Sequence, residues 1–150
     1  MKAVIQRVSK VELTIEDCIF SSIDDGLLVL LGICHEDKIT DIQWLSQKIV
    51  NMRIFNDEKG LMNRNVIEIV GKIMVVSQFT LYASTKKGNR PGFTEAASPS
   101  LANELYEQFL VEIQKLIPQK IETGKFGADM KIQLINDGPV TIIIDTKNKS

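Results

Sequence analysis

The chain has 150 residues, 25% of them charged and 44% hydrophobic, with a net charge of −1: one domain of ordinary globular composition with room for a sizeable core. A nearly neutral chain sets up no global field for nucleic acid, so no DNA partner is expected and any RNA contact must rest on a local basic patch. "MKAVIQRVSK" lacks the apolar stretch of a signal peptide, "GLLVLLGIC" is too short to cross a bilayer, and Cys18 and Cys34 have neither CxxC nor metal-ligand spacing. No membrane is expected, and two free thiols in a reducing compartment imply the cytoplasm.

In chain order, "AVIQRVSK", "VELTI" and "CIFSSI" read as strands. Gly26 to Ile33 is continuous and apolar, as a strand buried on both faces would be. A helix is predicted from about Thr40, with Ile42, Leu45, Ile49 and Met52 as its apolar stripe. "MRIFND" and "NVIEIVGKIMVVSQFTLYA" return to strands, with a turn over Asp57 to Gly60 between them. The polar stretch from Ser84 to Pro99 is a long loop, and loops of that length inside a domain are functional or disordered. Ser98 as N-cap and Pro99 at the first helical position start a second long helix. Leu101, Leu105, Phe109, Ile113 and Leu116 form its stripe, and Pro118 ends it. "KIETGKFG", "DMKIQLIN" and "VTIIID" are strand-like, with Asn136-Asp137-Gly138-Pro139 between the last two as a hairpin turn. Many strands and two long helices without regular βαβ alternation predict a single-domain α+β fold, its sheet largely antiparallel and curled into a barrel-like shape.

The residue inventory excludes several chemistries. His35, the one histidine, sits in polar "CHEDK" and reads as a solvated surface residue, which argues against a Ser-His-Asp or Cys-His hydrolase. There is no P-loop and no GxGxxG, and no cofactor or metal is expected. An enzyme with this inventory works by positioning and by backbone electrostatics.

Three stretches stand out. In "VVSQFTLYA", Ser77, Gln78 and Thr80 interrupt an apolar run. Simple alternation with one wet face is the ordinary explanation, yet Ser77 and Gln78 are adjacent and point to opposite faces. A bulge or strand end there would set backbone N–H groups beside hydroxyls, the parts of an oxyanion site. In "KKGNRPGF", Lys86, Lys87 and Arg90 bring three cations together. They form either a solvated loop or a phosphate clamp shaped by Gly88, Pro91 and Gly92, with Phe93 available to stack. The third is Gly138-Pro139. Asn-Asp-Gly alone suffices for a tight turn, and Pro139 removes a backbone donor from the following strand.

Taken together, "MKAVIQRV", "GLLVLLGI", "RIFND", "VVSQFTLYA", "GNRPGF", "ASP", "TGKFGADM" and "NDGPVT" resemble, in order and over nearly the whole chain, the D-aminoacyl-tRNA deacylases of the D-Tyr-tRNA deacylase family. The resemblance implies hydrolysis of the ester bond of D-aminoacyl-tRNA, and of mischarged glycyl-tRNA, with rejection of L-amino acids. It implies a homodimer with two sites at its interface. Each site joins Ser77, Gln78, Phe79 and Thr80 of one subunit to Gly138 and Pro139 of the other, the Gly-Pro bond being cis and Arg7 bracing it. Phe126 and Met130 are placed near the terminal adenosine of the tRNA 3′ end, and Lys86, Lys87 and Arg90 near its phosphates. Without the resemblance, two other classes stand beside this one. They are a hydrolase or deaminase of a free metabolite at an oligomer interface, and a non-catalytic RNA-binding module.

Overall fold

The computed structural model describes residues 1–149. Eight strands and two long helices follow in the order β1 (Lys2–Ile15), β2 (Cys18–Ile23), β3 (Gly26–Gly32), α1 (Ile39–Asn51), β4 (Phe55–Asn56), β5 (Met62–Arg64), β6 (Lys72–Ser77), α2 (Pro99–Leu116), β7 (Glu122–Thr123) and β8 (Lys131–Asp145). A 3-10 turn, Phe79–Tyr82, follows β6.

The main sheet runs β2-β1-β3-β6-β7, and β8 pairs with the other side of β1. It is largely antiparallel, as expected, but partly mixed. β1 pairs antiparallel with β2, β3 and β8, whereas β6 lies parallel to both β3 and β7. The cause is the connections. α1 lies between β3 and β6, and α2 between β6 and β7, and a helical crossover returns the chain in the same direction. The sheet curls until β2 reaches β7, where Ser21 Oγ donates to the carbonyl oxygen of Thr123 at 2.7 Å. The barrel-like shape is therefore nearly closed.

β3 and β6 carry continuous apolar runs because both of their faces are covered. Leu27, Val29, Leu31, Ile73 and Val75 face the helices, packing with Ile42, Leu45 and Ile49 of α1 and Leu105, Phe109 and Ile113 of α2. The alternate residues Leu28, Met74 and Val76 face the barrel interior with Val8, Val11 and Leu13. Of the predicted stripes, Ile42, Leu45, Ile49, Leu105, Phe109 and Ile113 are buried, Leu101 and Leu116 are half-buried, and the half-buried Met52 caps α1 from outside; Pro99 is indeed at the start of α2.

Several boundaries differ from the sequence reading. "AVIQRVSK" and "VELTI" are one 14-residue strand. Residues 66–70 form turns instead of a strand, and "KIETGKFG" contributes only the two residues of β7. Among the described residues, no helix is long and apolar enough to cross a membrane.

The hairpin at Asn136–Pro139 is overturned. Its two apolar runs do not pair with each other; both pair with β1, end to end, as halves of β8. Thr141 lies opposite Gln6 and Asn136 opposite Val8, so Asp137 to Val140 stand as a bulge against Arg7 alone. Turn residues had signalled a reversal, but β1 is long enough to hold both halves on one line.

Candidate active site

β6 ends at Ser77, the last residue registered with β3 (opposite Leu31), and Gln78 N–H closes the ladder on the Leu31 carbonyl oxygen at 2.8 Å. The chain then tightens into the Phe79–Tyr82 turn, held by Leu81 N–H to Gln78 O at 3.3 Å and Ala83 N–H to Thr80 O at 3.0 Å. Gly32 makes this approach possible. A Cβ on it would stand 3.0 Å from Leu81 Cβ and 3.1 Å from the Gln78 oxygen. The strand end expected from the adjacent Ser77 and Gln78 is therefore present, although "FTLY" is a helical turn and not strand.

This local fold has a chemical consequence. The first N–H groups of a helical turn lack intrahelical acceptors. Those of Phe79 and Thr80 have no acceptor among the described residues, and both residues are exposed. The Thr80 hydroxyl is bonded to the Gln78 side-chain amide, a donor and not a base. Neither a histidine nor a carboxylate hydrogen-bonds to Thr80 among the described residues.

A cavity of about 530 Å³ opens beside Ser77–Phe79, walled by Leu31, Ile33, Phe93, Ala97 and Phe126. Phe79 and Phe93 meet edge to face across its mouth, with ring centroids 5.0 Å apart. Phe126 is seated against Tyr106 at 6.0 Å. Tyr106 is fixed in turn by its hydroxyl, which donates to the Val75 carbonyl oxygen at 2.8 Å. Burial, with a smaller push from Glu107, raises the Tyr106 pKa, so this hydroxyl remains a donor. A smaller cavity of about 280 Å³ also borders Ser77–Phe79 and is lined by Val76, Ala128, Asp129 and Met130. Phe126 and Met130 thus each line a cavity that borders the segment. His35 is exposed, as expected, but it also stands on the rim of the larger cavity.

Lys86, Lys87 and Arg90 are exposed and form no ion pair among the described residues. Their loop is pinned at its neck by reciprocal Ser84–Gly92 hydrogen bonds of 2.8 and 2.9 Å. It is pinned again where Ala97 N–H donates to Ile33 O at 2.9 Å. The loop is a shaped projection beside the cavity mouth.

Gly138 and Pro139 line neither cavity. They are exposed at the crest of the β8 bulge, and the bond between them is cis. Arg7, itself only 8% exposed, grips this bulge from beneath. Its Nε donates to Asp137 O at 2.9 Å and its Nη1 to Ile54 O at 2.8 Å. Gly138 has φ +134°, and a Cβ on it would lie 2.8 Å from Val140 Cγ2 and 3.0 Å from Arg7 Nη2. Only glycine suits that backbone and that space. The Ile54 carbonyl, supplied by the segment leading into β4, escaped the sequence reading because a backbone acceptor leaves no residue-type signal.

The family profile described as D-Tyr-tRNA(Tyr) deacylase matches residues 4–145. The chain belongs to the D-Tyr-tRNA(Tyr) deacylase family. It is a hydrolase that cleaves the ester bond of D-aminoacyl-tRNA. A D-aminoacyl-tRNA deacylase of Cytophaga hutchinsonii is 61% identical over 149 residues, and one of Bacteroides fragilis 54%, each pair covering 99% of both chains. A solved structure titled c-Myc DNA Unwinding Element Binding Protein superposes with a TM-score of 0.92 at 41% identity, covering 97% of this chain and 98% of that one. A probable eukaryotic D-amino acid tRNA deacylase shares the fold at 16% identity, with a TM-score of 0.80 over 95% of this chain and 97% of its own.

Proposed function

We propose that this deacylase proofreads chirality in the cytoplasm as a homodimer, with each site completed by the partner subunit's Gly138 and Pro139. The observation that carries the reading is the separation within one chain. The strand end at Ser77–Thr80 offers donors beside an apolar cavity, while the braced Gly138-Pro139 crest is exposed and takes no part in that cavity's lining.

The substrate is the 3′ end of a tRNA carrying a D-amino acid. Its terminal adenosine sits against Phe126 and Met130, and its phosphates lie near Lys86, Lys87 and Arg90. Water adds to the ester carbonyl carbon, and negative charge develops on the carbonyl oxygen. The Phe79 and Thr80 N–H groups stabilise that charge; one donor of this kind is worth roughly 10²–10³ in rate. The bond to the ribose 3′ oxygen then breaks, and that oxygen leaves with a proton. The neighbouring 2′-hydroxyl assists this transfer, and Thr80 positions the substrate without acting as nucleophile, since nothing basic activates it.

Side-chain pockets cannot read handedness across many amino acids. A stiff backbone element against Cα can: it collides with an L side chain and leaves a D side chain free to point outward. Glycine has nothing to collide, so glycyl-tRNA is also cleaved.

The test compares release of labelled D-tyrosine from tRNA with cleavage of a free D-tyrosine ester, alongside binding of uncharged tRNA. Release from tRNA at a far higher kcat/KM than from the free ester supports the reading. Equal rates would make this a small-metabolite esterase, and binding without release a non-catalytic RNA-binding module.

A further inference from the structure

We infer that Asn136 is a positioning residue for chirality selection: it closes the Asp137–Val140 bulge from within, setting the height and rigidity of the Gly138-Pro139 crest. The inference rests on the reading that this crest selects the hand of the substrate.

Arg7 holds the bulge from below at one residue, Asp137, through its carbonyl oxygen at 2.9 Å and its carboxylate at 3.5 Å. One anchor leaves the Pro139 side of a four-residue excursion free to swing. Asn136 supplies the second anchor. Its Oδ1 accepts from Val140 N–H at 3.0 Å, spanning Asp137, Gly138 and Pro139. Its Nδ2 donates to Thr141 Oγ1 at 2.8 Å. Gln6 Nε2 reaches the same Thr141 oxygen at 3.5 Å from the neighbouring strand.

The ladder explains why a side chain is needed. Asn136 and Thr141 are the last registered residues on either side of the bulge, opposite Val8 and Gln6. Between them the backbone has left its partner strand, so the ladder cannot take the Val140 N–H. A backbone donor shielded from water and left without an acceptor is destabilising. Asparagine is suited because one short side chain presents both an acceptor and a donor. The acceptor closes the loop and the donor fixes the amide's orientation through Thr141. Leucine would fill the space and do neither.

The crest has little tolerance for movement. Gly138 already lies against Val140 and Arg7, and a Cβ there would meet both within about 3 Å. The partner subunit's substrate meets whatever height this loop takes. Losing the clasp therefore lowers discrimination more than it lowers turnover.

The experiment uses the full-length protein with Asn136→Ala, Asn136→Asp and Thr141→Val. Hydrolysis of D- and L-tyrosyl-tRNA is measured with thermal stability, and amide hydrogen exchange at Val140 is followed by NMR. Asn136→Ala is expected to speed Val140 exchange at least tenfold and to lower the D-to-L ratio of kcat/KM by at least tenfold. D-tyrosine turnover should fall by less than that ratio. Asn136→Asp, which keeps the acceptor, should restore Val140 protection and most of the ratio. Thr141→Val should fall between the two. An Asn136→Ala variant with lowered thermal stability but an unchanged D-to-L ratio would overturn the inference, leaving Asn136 a structural residue. If Asn136→Ala does not fold, Asn136→Asp and Thr141→Val decide on the same readouts. A wild type that itself fails to distinguish D from L would reject the chirality reading instead, and Val140 exchange would still report on the clasp.

Discussion

Arg7 Nε donates to the Asp137 carbonyl oxygen at 2.9 Å, while Nη1 of the same guanidinium donates to the Ile54 carbonyl oxygen at 2.8 Å. One buried cation thus ties the crest of β8 to the segment entering β4. Its planar fork serves two acceptors at once, which a lysine ammonium on a flexible stem does less well. Arg7→Lys is expected to keep the fold but lower D-to-L discrimination severalfold. Arg7→Met leaves both carbonyls unpaired and should cost about 1–3 kcal/mol per abandoned acceptor. Chemical denaturation read beside the discrimination ratio checks both. Unchanged discrimination in Arg7→Met would separate the brace from selection.

Gly138→Ala places a Cβ 2.8 Å from Val140 Cγ2 on backbone with φ +134°, outside the usual range of L side chains. The bulge must move, since its neighbours are the short Val140 side chain, the Val140 backbone and a braced arginine. The variant should fold, because the site is an exposed crest and not core, yet lose D-tyrosine release by tenfold or more. Thermal melting and single-turnover hydrolysis give the two numbers. Full activity would show that the crest does not touch the substrate.

Thr80 has a donor as its side-chain partner and no base. Thr80→Ala preserves the backbone N–H groups and should retain measurable turnover, with the loss falling mainly in KM. A tRNA ending in 2′-deoxyadenosine should be hydrolysed at least tenfold more slowly. Complete loss of turnover in Thr80→Ala with binding intact, or a trapped acyl-Thr80 ester, would make Thr80 the nucleophile.

Asp41, in the first turn of α1, sets the acid limit of this corner of the fold. Burial raises its pKa, but hydrogen bonds from Lys147, Thr146 and the Lys38 backbone outweigh this and hold it at about 2, below the ordinary 3.8. A carboxyl with a depressed folded-state pKa adds stability that is complete above the unfolded value. That stability is lost as pH falls through the window from about 4 to about 2. Asp41→Asn should be less stable near neutrality, and its stability should vary less with pH across that window, as equilibrium urea melts would show. Parallel pH profiles in both proteins would contradict the assignment.

The helices and the doubly covered strands were legible because their signal is repetitive. The stripe Leu101, Leu105, Phe109, Ile113 and Leu116 can pack in only one way, and Gly26–Ile33 has no polar face to expose. The direction of β6 was not legible: strand polarity is set by the crossover through α1, and no residue type encodes it. Gly138 and Pro139 carried the right alarm and the wrong local shape. Turn residues report that the chain leaves the strand, whereas only the length of β1 decides whether it comes back antiparallel or continues. At the site, Ser77 beside Gln78 foretold the strand end. The Ile54 carbonyl beneath Arg7 and the glycine at position 32 under the 3-10 turn acquire meaning only in three dimensions.

The most direct test of the central claim is the release of labelled tyrosine from D-tyrosyl-tRNA and L-tyrosyl-tRNA by the wild-type protein under identical single-turnover conditions. A backbone crest that collides with an L side chain predicts D-tyrosine release at least a hundredfold faster than L-tyrosine release. Equal rates for the two would contradict it.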